Sequence, residues 1–218
     1  MKVVFDIETI PVQDKSIIDA IASEIKPPAT YKKPESIAEW METNKQAAID
    51  EAVAKTSFDG AYGQICCIGW AINDGEIKSA IGLEKDIIET FFNDLVANNP
   101  RELDCIFVGH NVSAFDLRFL FQRAIITGIK PPPFIPFNAK SWDKQIFDTM
   151  TYFAGFGNRI SLDKLSKVLG LEGKTGVTGA DVWPMYQDGK IAEIAEYCEH
   201  DVELTRNVYN RLTFKVSA

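Results

Sequence analysis

Apolar positions recur along this chain at two periods. Near the amino terminus Val3, Val4, Phe5 and Ile7 make an almost continuous apolar run, the pattern of a buried strand. Alternation along a strand puts Val3, Phe5 and Ile7 on one face and Val4, Asp6 and Glu8 on the other. Further strands are expected over 65–72 and 77–81, joined by the turn signal Asn73-Asp74-Gly75. A helix over 84–97 would turn Ile87, Ile88, Phe91, Phe92 and Leu95 inward. A strand over 103–108 then precedes a helix from 114 to about 127, and Pro131-Pro132-Pro133 closes that region. A short strand over 145–148, a helix over 161–169 and a long final helix over 190–212 complete the pattern. The stretch 10–63 differs in character: Pro11, Pro27, Pro28 and Pro34 interrupt two segments of helical composition, 16–25 and 36–55. It reads as a helical insertion after the first strand, packed on the main sheet. The whole predicts an α/β fold, a mixed β-sheet flanked by helices.

Composition narrows this picture. A chain of 218 residues with 46% hydrophobic content suits a single domain with one insertion. No apolar run approaches the roughly 20 residues that span a bilayer, so no membrane partner is expected. The amino terminus lacks the long apolar core of a secretory signal. Cys66, Cys67, Cys105 and Cys198 have no metal-type spacing and sit mostly in apolar runs, which points to reduced thiols, a cytoplasmic location and no zinc. The net charge of −8 argues at first against nucleic acid, but the charge is unevenly distributed. Between Arg118 and Lys174, nine Lys and Arg stand against four Asp and Glu, a local +5, so the remainder carries −13. A polyanion remains admissible along a local track.

The acids carry the chemistry. Asp6 and Glu8 leave a buried strand on the same side, where they would repel each other and lose hydration. A hard divalent cation such as Mg²⁺ or Mn²⁺ would relieve both penalties, whereas an edge strand with two wet acids would need none. A second acid-bearing stretch, 109–117, lies where a strand ends and a helix begins. Asp116 there is either a ligand or the partner of Ser113 in a capping box, and Asn111 is either a site residue or a turn residue. In the final helix Asp201 falls inside the apolar stripe, between Ile194 and Val208, with Tyr197 one turn earlier. It is either a ligand or a core aspartate held by an arginine or by backbone. Together Asp6, Glu8, Asp116 and Asp201 are the carboxylate complement of two paired cations, the chemistry of phosphodiester hydrolysis.

Three stretches then resemble a known family. Phe5-Asp6-Ile7-Glu8-Thr9, Gly109-His110-Asn111-Val112-Ser113-Ala114-Phe115-Asp116 and Tyr197-Cys198-Glu199-His200-Asp201 are similar, in order, to the three motifs of the DEDD 3′–5′ exonucleases of ribonuclease H-like fold. The likeness is greatest to the proofreading domain of B-family DNA polymerases and its stand-alone relatives, and only 10–63 falls outside it. The resemblance implies two divalent cations, Mg²⁺ or Mn²⁺, held by Asp6, Glu8, Asp116 and Asp201. It implies that Tyr197 positions the attacking water. It implies contacts to the terminal nucleotide from Thr9 and Ile10, and a bracing role for Asn111. Phe115 is either a helix anchor or a stacking ring; Lys174 is a candidate phosphate contact, with Arg118, Arg123, Lys140, Lys144 and Arg159. The substrate it implies is the 3′ end of single-stranded DNA, ahead of RNA, hydrolysed to nucleoside monophosphates, with a replication or recombination protein as a partner in trans. Three rivals stand beside it: a catalytically silent nucleic-acid-binding module on the same fold, an endonuclease acting on hybrid duplexes, and a purely structural interaction protein. Asp148 reads as a helix cap and His110 as a packed strand-end residue.

Overall fold

The protein was analysed as a computed structural model, in which residues 1–99, 105–171, 173 and 176–215 are described. Five strands form one mixed sheet: β1 (Lys2–Ile10), β2 (Gln64–Ile72), β3 (Ile77–Ile81), β4 (Ile106–Gly109) and β5 (Ile146–Asp148), in the order β3-β2-β1-β4-β5. β1 runs antiparallel to β2 and parallel to β4, and so occupies the centre. Its apolar run is explained by that place, since a central strand is covered on both faces. Asn73 takes the left-handed conformation at the β2–β3 turn, as the Asn-Asp-Gly signal requires.

The pleat of β1 divides the molecule. Val3, Phe5 and Ile7 join the larger core, built with α3 (Glu84–Asn98) and α4 (Asp116–Thr127). Val4 joins Ala71, Val108, Val202 and Tyr209 on the opposite face, where α8 (Ile191–Leu212) crosses the sheet. Asp6 and Glu8 share that second face. α8 lies close to the strands because Gly69, paired with Asp6, has no side chain. A Cβ there would stand 3.0 Å from Cys198 Sγ and 3.2 Å from the Cys198 carbonyl. Ser79 Oγ donates to Glu199 at 2.6 Å and ties the same helix to β3.

The remaining helices are α1 (Lys15–Glu24), α2 (Pro34–Lys55), α5 (Thr149–Ala154), α6 (Leu162–Val168) and α7 (Val182–Gln187). α1 and α2 match the helical segments expected after the first strand. Their packing departs from expectation: neither buries a single residue, and α2 leans on α1 and on the 3₁₀ turn Thr56–Phe58 instead of on the sheet. That turn joins this region to β1 and the segment after it, through Thr9 and Val12. The four cysteines are buried free thiols. Among the described residues no helix is long and apolar enough to cross a membrane.

Candidate active site

Three elements bring five of the expected side chains to one cleft. The end of β1 contributes Asp6 and Glu8, the start of α4 contributes Asp116, and α8 contributes Tyr197 and Asp201. The cleft has a volume of about 880 Å³, and Asn111 and Phe115 also line it. Asp116 lies inside because the backbone amide of Ile7, between the two β1 acids, donates to its Oδ1 at 3.2 Å. It does not serve the capping box, since the Ser113 amide donates to Asp148 instead. Burial pushes the Asp116 carboxyl up to about 7, and the nearby charge of Asp148 adds to this.

Tyr197 and Asp201 are both about 5% exposed, so the polar positions read inside the apolar stripe of the last helix are covered. The Tyr197 phenol donates to the Asp201 carboxylate. Burial pushes that phenol far up, and the charges of Glu8, Asp201 and Asp6 push it further, so it is held neutral. All three acids therefore act at one phenol. Carboxylate oxygens of Asp6 and Glu8 and the Cys198 sulfur lie within 4.8 Å of one another. Burial raises the Cys198 thiol, so it faces its neighbours protonated and leaves the oxygens as the donors. This oxygen set, concentrated at one point, fits a hard divalent cation.

The turn before α4 is built on Asp148. This carboxylate, only 2% exposed, accepts from the amides of Asn111, Ser113, Met150 and Thr151 and from the Ser113 hydroxyl. It caps α5, as its place in the sequence suggests, and also fixes the chain on the far side of β4. Asn111 sits at φ 66°, in the left-handed region that asparagine tolerates. Both ring nitrogens of His110 are engaged, Nδ1 with Thr149 Oγ1 and Nε2 with the Ile160 carbonyl, so it packs at the strand end.

Other expected contacts lie elsewhere. Ile10 is 2% exposed and packs with Cys66, Cys67, Val182 and Ile194, because α7 covers the face that Asp6 and Glu8 leave open. Its side chain is a core residue. Thr9 is absent from the cleft lining, and its hydroxyl donates to the Ser57 carbonyl at 2.7 Å. Arg123 is buried in a two-pronged pair with Glu84, at 2.8 and 2.7 Å, and cannot meet a phosphate. Lys144 lines a different hollow, beside Met1 and Tyr209. Lys174 lies outside the described residues. Of the expected cations, Arg159 lines the cleft. Lys167 of α6 joins it there, with its ammonium 2.8 Å from Asp163. Lys167 and Phe58 are cleft residues that sequence reading missed. Neither stands in a motif, and Phe58 lies in the segment whose role the sequence leaves open.

No curated protein sequence matches the chain. Among solved structures it is similar to the family B DNA polymerase of the hyperthermophilic archaeon Pyrobaculum calidifontis, with 15% identity and a TM-score of 0.59. That similarity covers 97% of this chain but 24% of the polymerase, so the chain spans about a quarter of that protein's length. At such identity the likeness establishes the fold, a mixed sheet flanked by helices as in the polymerase. A family match covers residues 42–217, which hold Asp116, Tyr197 and Asp201 though not β1. On that match the chain belongs to the family described as predicted 3′-5′ exonucleases related to the exonuclease domain of PolB.

Proposed function

We propose that the protein is a 3′–5′ exonuclease that hydrolyses single-stranded nucleic acid, DNA ahead of RNA, to nucleoside monophosphates with the help of two divalent cations. The observation that carries this reading is the meeting of Asp6, Glu8, Asp116 and Asp201 with Tyr197 in one cleft, from elements as many as 195 positions apart in sequence. The four carboxylates would hold Mg²⁺ or Mn²⁺. The chemistry supplied by a bound pair of such ions is activation of a water as nucleophile and stabilisation of the leaving oxygen.

The chain's own residues do the rest. Asp201 fixes the Tyr197 phenol, whose oxygen then orients the water beside the scissile phosphate. The Ile7 amide fixes Asp116, so the β1 backbone and the α4 acid are set as one unit. Arg159 and Lys167 attract the phosphates to the rim. Asp148, by pinning Asn111 and Ser113, keeps the turn that delivers Asp116 from drifting.

Digestion of a single strand carrying a label at its 3′ end, with and without Mg²⁺, tests the reading. Wild-type protein should release labelled mononucleotide only with the cation, and should leave a covalently closed single-stranded circle intact. Asp6→Ala should abolish release without loss of fold. Tyr197→Phe should lower turnover about a hundredfold with little change in affinity. Tight binding by wild type with no release at any Mg²⁺ or Mn²⁺ concentration would favour the silent module instead, and cutting of the circle would make it an endonuclease.

A further inference from the structure

Three lysines from distant parts of the chain meet at the end of the sheet away from the cleft. Lys2 opens β1, Lys144 stands just before β5, and Lys215 follows the end of α8. They line a hollow of about 590 Å³ together with Tyr209 and Asp74. None of the residues that line this hollow lines the acid cleft. Asp6 lies four residues along β1 from Lys2, or ~13 Å at about 3.3 Å per residue, and Glu8 lies further still.

Tyr209 gathers two of these cations. The Nζ atoms of Lys2 and Lys215 stand 5.2 and 5.4 Å from its ring centre, and Phe147 packs edge-on against it at 4.7 Å. Lys215 reaches the ring because the chain doubles back after α8. Phe214 takes φ 55°, a left-handed conformation in which a bulky side chain is strained, and the amides of Phe214 and Lys215 donate to the carbonyls of Arg211 and Asn210. Glycine is the usual residue at such a helix end. Here the turn carries a lysine onto the hollow instead. Asp74 is the one acid among the described lining residues, and it accepts from Lys2 Nζ at 3.0 Å. That hydrogen bond, helped by the charges of Lys2, Lys215 and Arg206, holds the Asp74 carboxyl below its ordinary range. Three cations against one acid leave the hollow a surplus of two positive charges, in a chain of net charge −8.

Ammonium groups gathered round one hollow suit a compact anion of several charges. A nucleic acid strand spreads its charge along its length and asks for a line of cations instead. Tyr209 offers no face to a base, since it is 7% exposed and Lys2, Lys215 and Phe147 already surround its ring. We propose that this hollow is a second ligand site, separate from the cleft, which holds the phosphate chain of a nucleoside triphosphate or of inorganic polyphosphate between Lys2, Lys144 and Lys215. Any base stays in solvent, so the phosphates alone are recognised.

Calorimetric titration with tripolyphosphate, at roughly 0.15 M salt and without divalent cations, tests this. Such salt screens loose attraction, and the empty cleft repels phosphate. Wild-type protein should bind tripolyphosphate saturably at one site. Lys144→Gln and Lys215→Gln should each weaken binding about tenfold. Lys85→Gln, which removes the same charge from the exposed side of α3, should bind as wild type does. Asp74→Asn should tighten binding about threefold or more, because it removes the adverse charge and releases Lys2. All four side chains are exposed, so unchanged circular dichroism spectra are expected. A purine and a pyrimidine nucleoside triphosphate should bind alike, and a nucleoside without phosphate should not bind. Tighter binding of the triphosphates than of tripolyphosphate assigns the site to nucleotides, and the reverse assigns it to the inorganic chain. Absence of saturable binding, or an equal loss in Lys85→Gln and Lys144→Gln, overturns the site. So does a single-stranded oligonucleotide that binds through Lys144 and Lys215 while tripolyphosphate does not, which would make the hollow a strand contact.

Discussion

Asp148 and Asp116 are both buried carboxylates, yet their surroundings assign them opposite work. Asp148 has five hydrogen-bond donors gathered around its two oxygens, so its ionised form is satisfied by the protein itself. Asp116 receives the Ile7 amide, its own amide and the adverse charge of Asp148, which leaves room for an outside cation. The first is structural and the second is free to act. Asp148→Asn keeps the shape but turns an NH₂ group toward donors. With hydrogen bonds to charged groups worth about 1.5–3 kcal/mol, a loss of ~2–3 kcal/mol is expected, measured as a lower urea midpoint at an unchanged slope. Unchanged stability would mean that the five contacts do not hold the turn. The sequence disclosed Asp148 as a cap, because a strand ending in Asp-Thr is a local signal. Its second duty toward Asn111 and Ser113 is a contact between strands, and nothing local encodes that.

At the scale of elements, α8 decides whether the site exists, since it brings Tyr197 and Asp201 over β1. Its seat is Gly69. An added Cβ would meet Cys198 Sγ at 3.0 Å, Val202 Cγ2 at 3.1 Å and the Cys198 carbonyl at 3.2 Å, so the helix must rise by a few tenths of an ångström. Gly69→Ala should cost about 1–3 kcal/mol by overpacking and lower nuclease turnover at least tenfold, because the helix it displaces carries Tyr197 and Asp201 of the cleft. Adding Cys198→Ala, which removes the nearest atom, should recover part of both, and purely additive losses would show that the helix seat is not at issue. A second link is made by Asp94 of α3, which accepts from Trp70 Nε1 of β2 at 2.7 Å and from Lys78 Nζ of β3 at 2.9 Å. Burial pushes this carboxyl up, but the Trp70 and Lys78 hydrogen bonds outweigh it and hold it below the usual range. A depressed carboxyl stabilises the fold above its ordinary pKa near 3.8 and loses that contribution as pH falls through its lower folded value. Asp94→Asn should therefore unfold at lower urea than wild type at pH 7, with the gap closing below about pH 4; a gap that persists at pH 2 would tie the effect to shape alone. The long periodic elements were legible because burial on one face imposes a period, as the stripe of α8 and the inward side of α3 show. α5 and α7 were not. Each has six residues, α7 contains Pro184 and α5 is rich in β-branched and aromatic residues, so packing, not propensity, makes them helical.

For the molecule as a whole, the local surplus of positive charge read between Arg118 and Lys174 is scattered by folding. Arg123 is committed to Glu84 and Lys144 faces another hollow; among the described residues of that group, Arg159 and Lys167 line the cleft. Facing them are Asp6, Glu8, Asp116, Asp163 and Asp201. The motifs made four of these acids legible one by one; their joint excess over the cations becomes visible only once the chain is folded. Such a cleft repels phosphate until cations enter, and its acids repel one another for as long as it stays empty. Cation binding is then coupled to stability. At a hundred times the dissociation constant it contributes ~2.7 kcal/mol, or about 5–10 °C in melting temperature for a chain of this size. Mn²⁺ should raise the melting temperature of wild type by that amount, and a chelator should reverse it. Glu8→Gln removes one of the crowded charges. It should melt above wild type in the chelator, gain little from Mn²⁺, and bind a single-stranded oligonucleotide equally weakly with or without the cation. Melting curves and oligonucleotide binding for the two proteins, each in chelator and in Mn²⁺, separate this from simple destabilisation of the cleft. If wild type and Glu8→Gln gained equally from Mn²⁺, the ion would be binding elsewhere, and the carboxylates in the cleft would need another explanation.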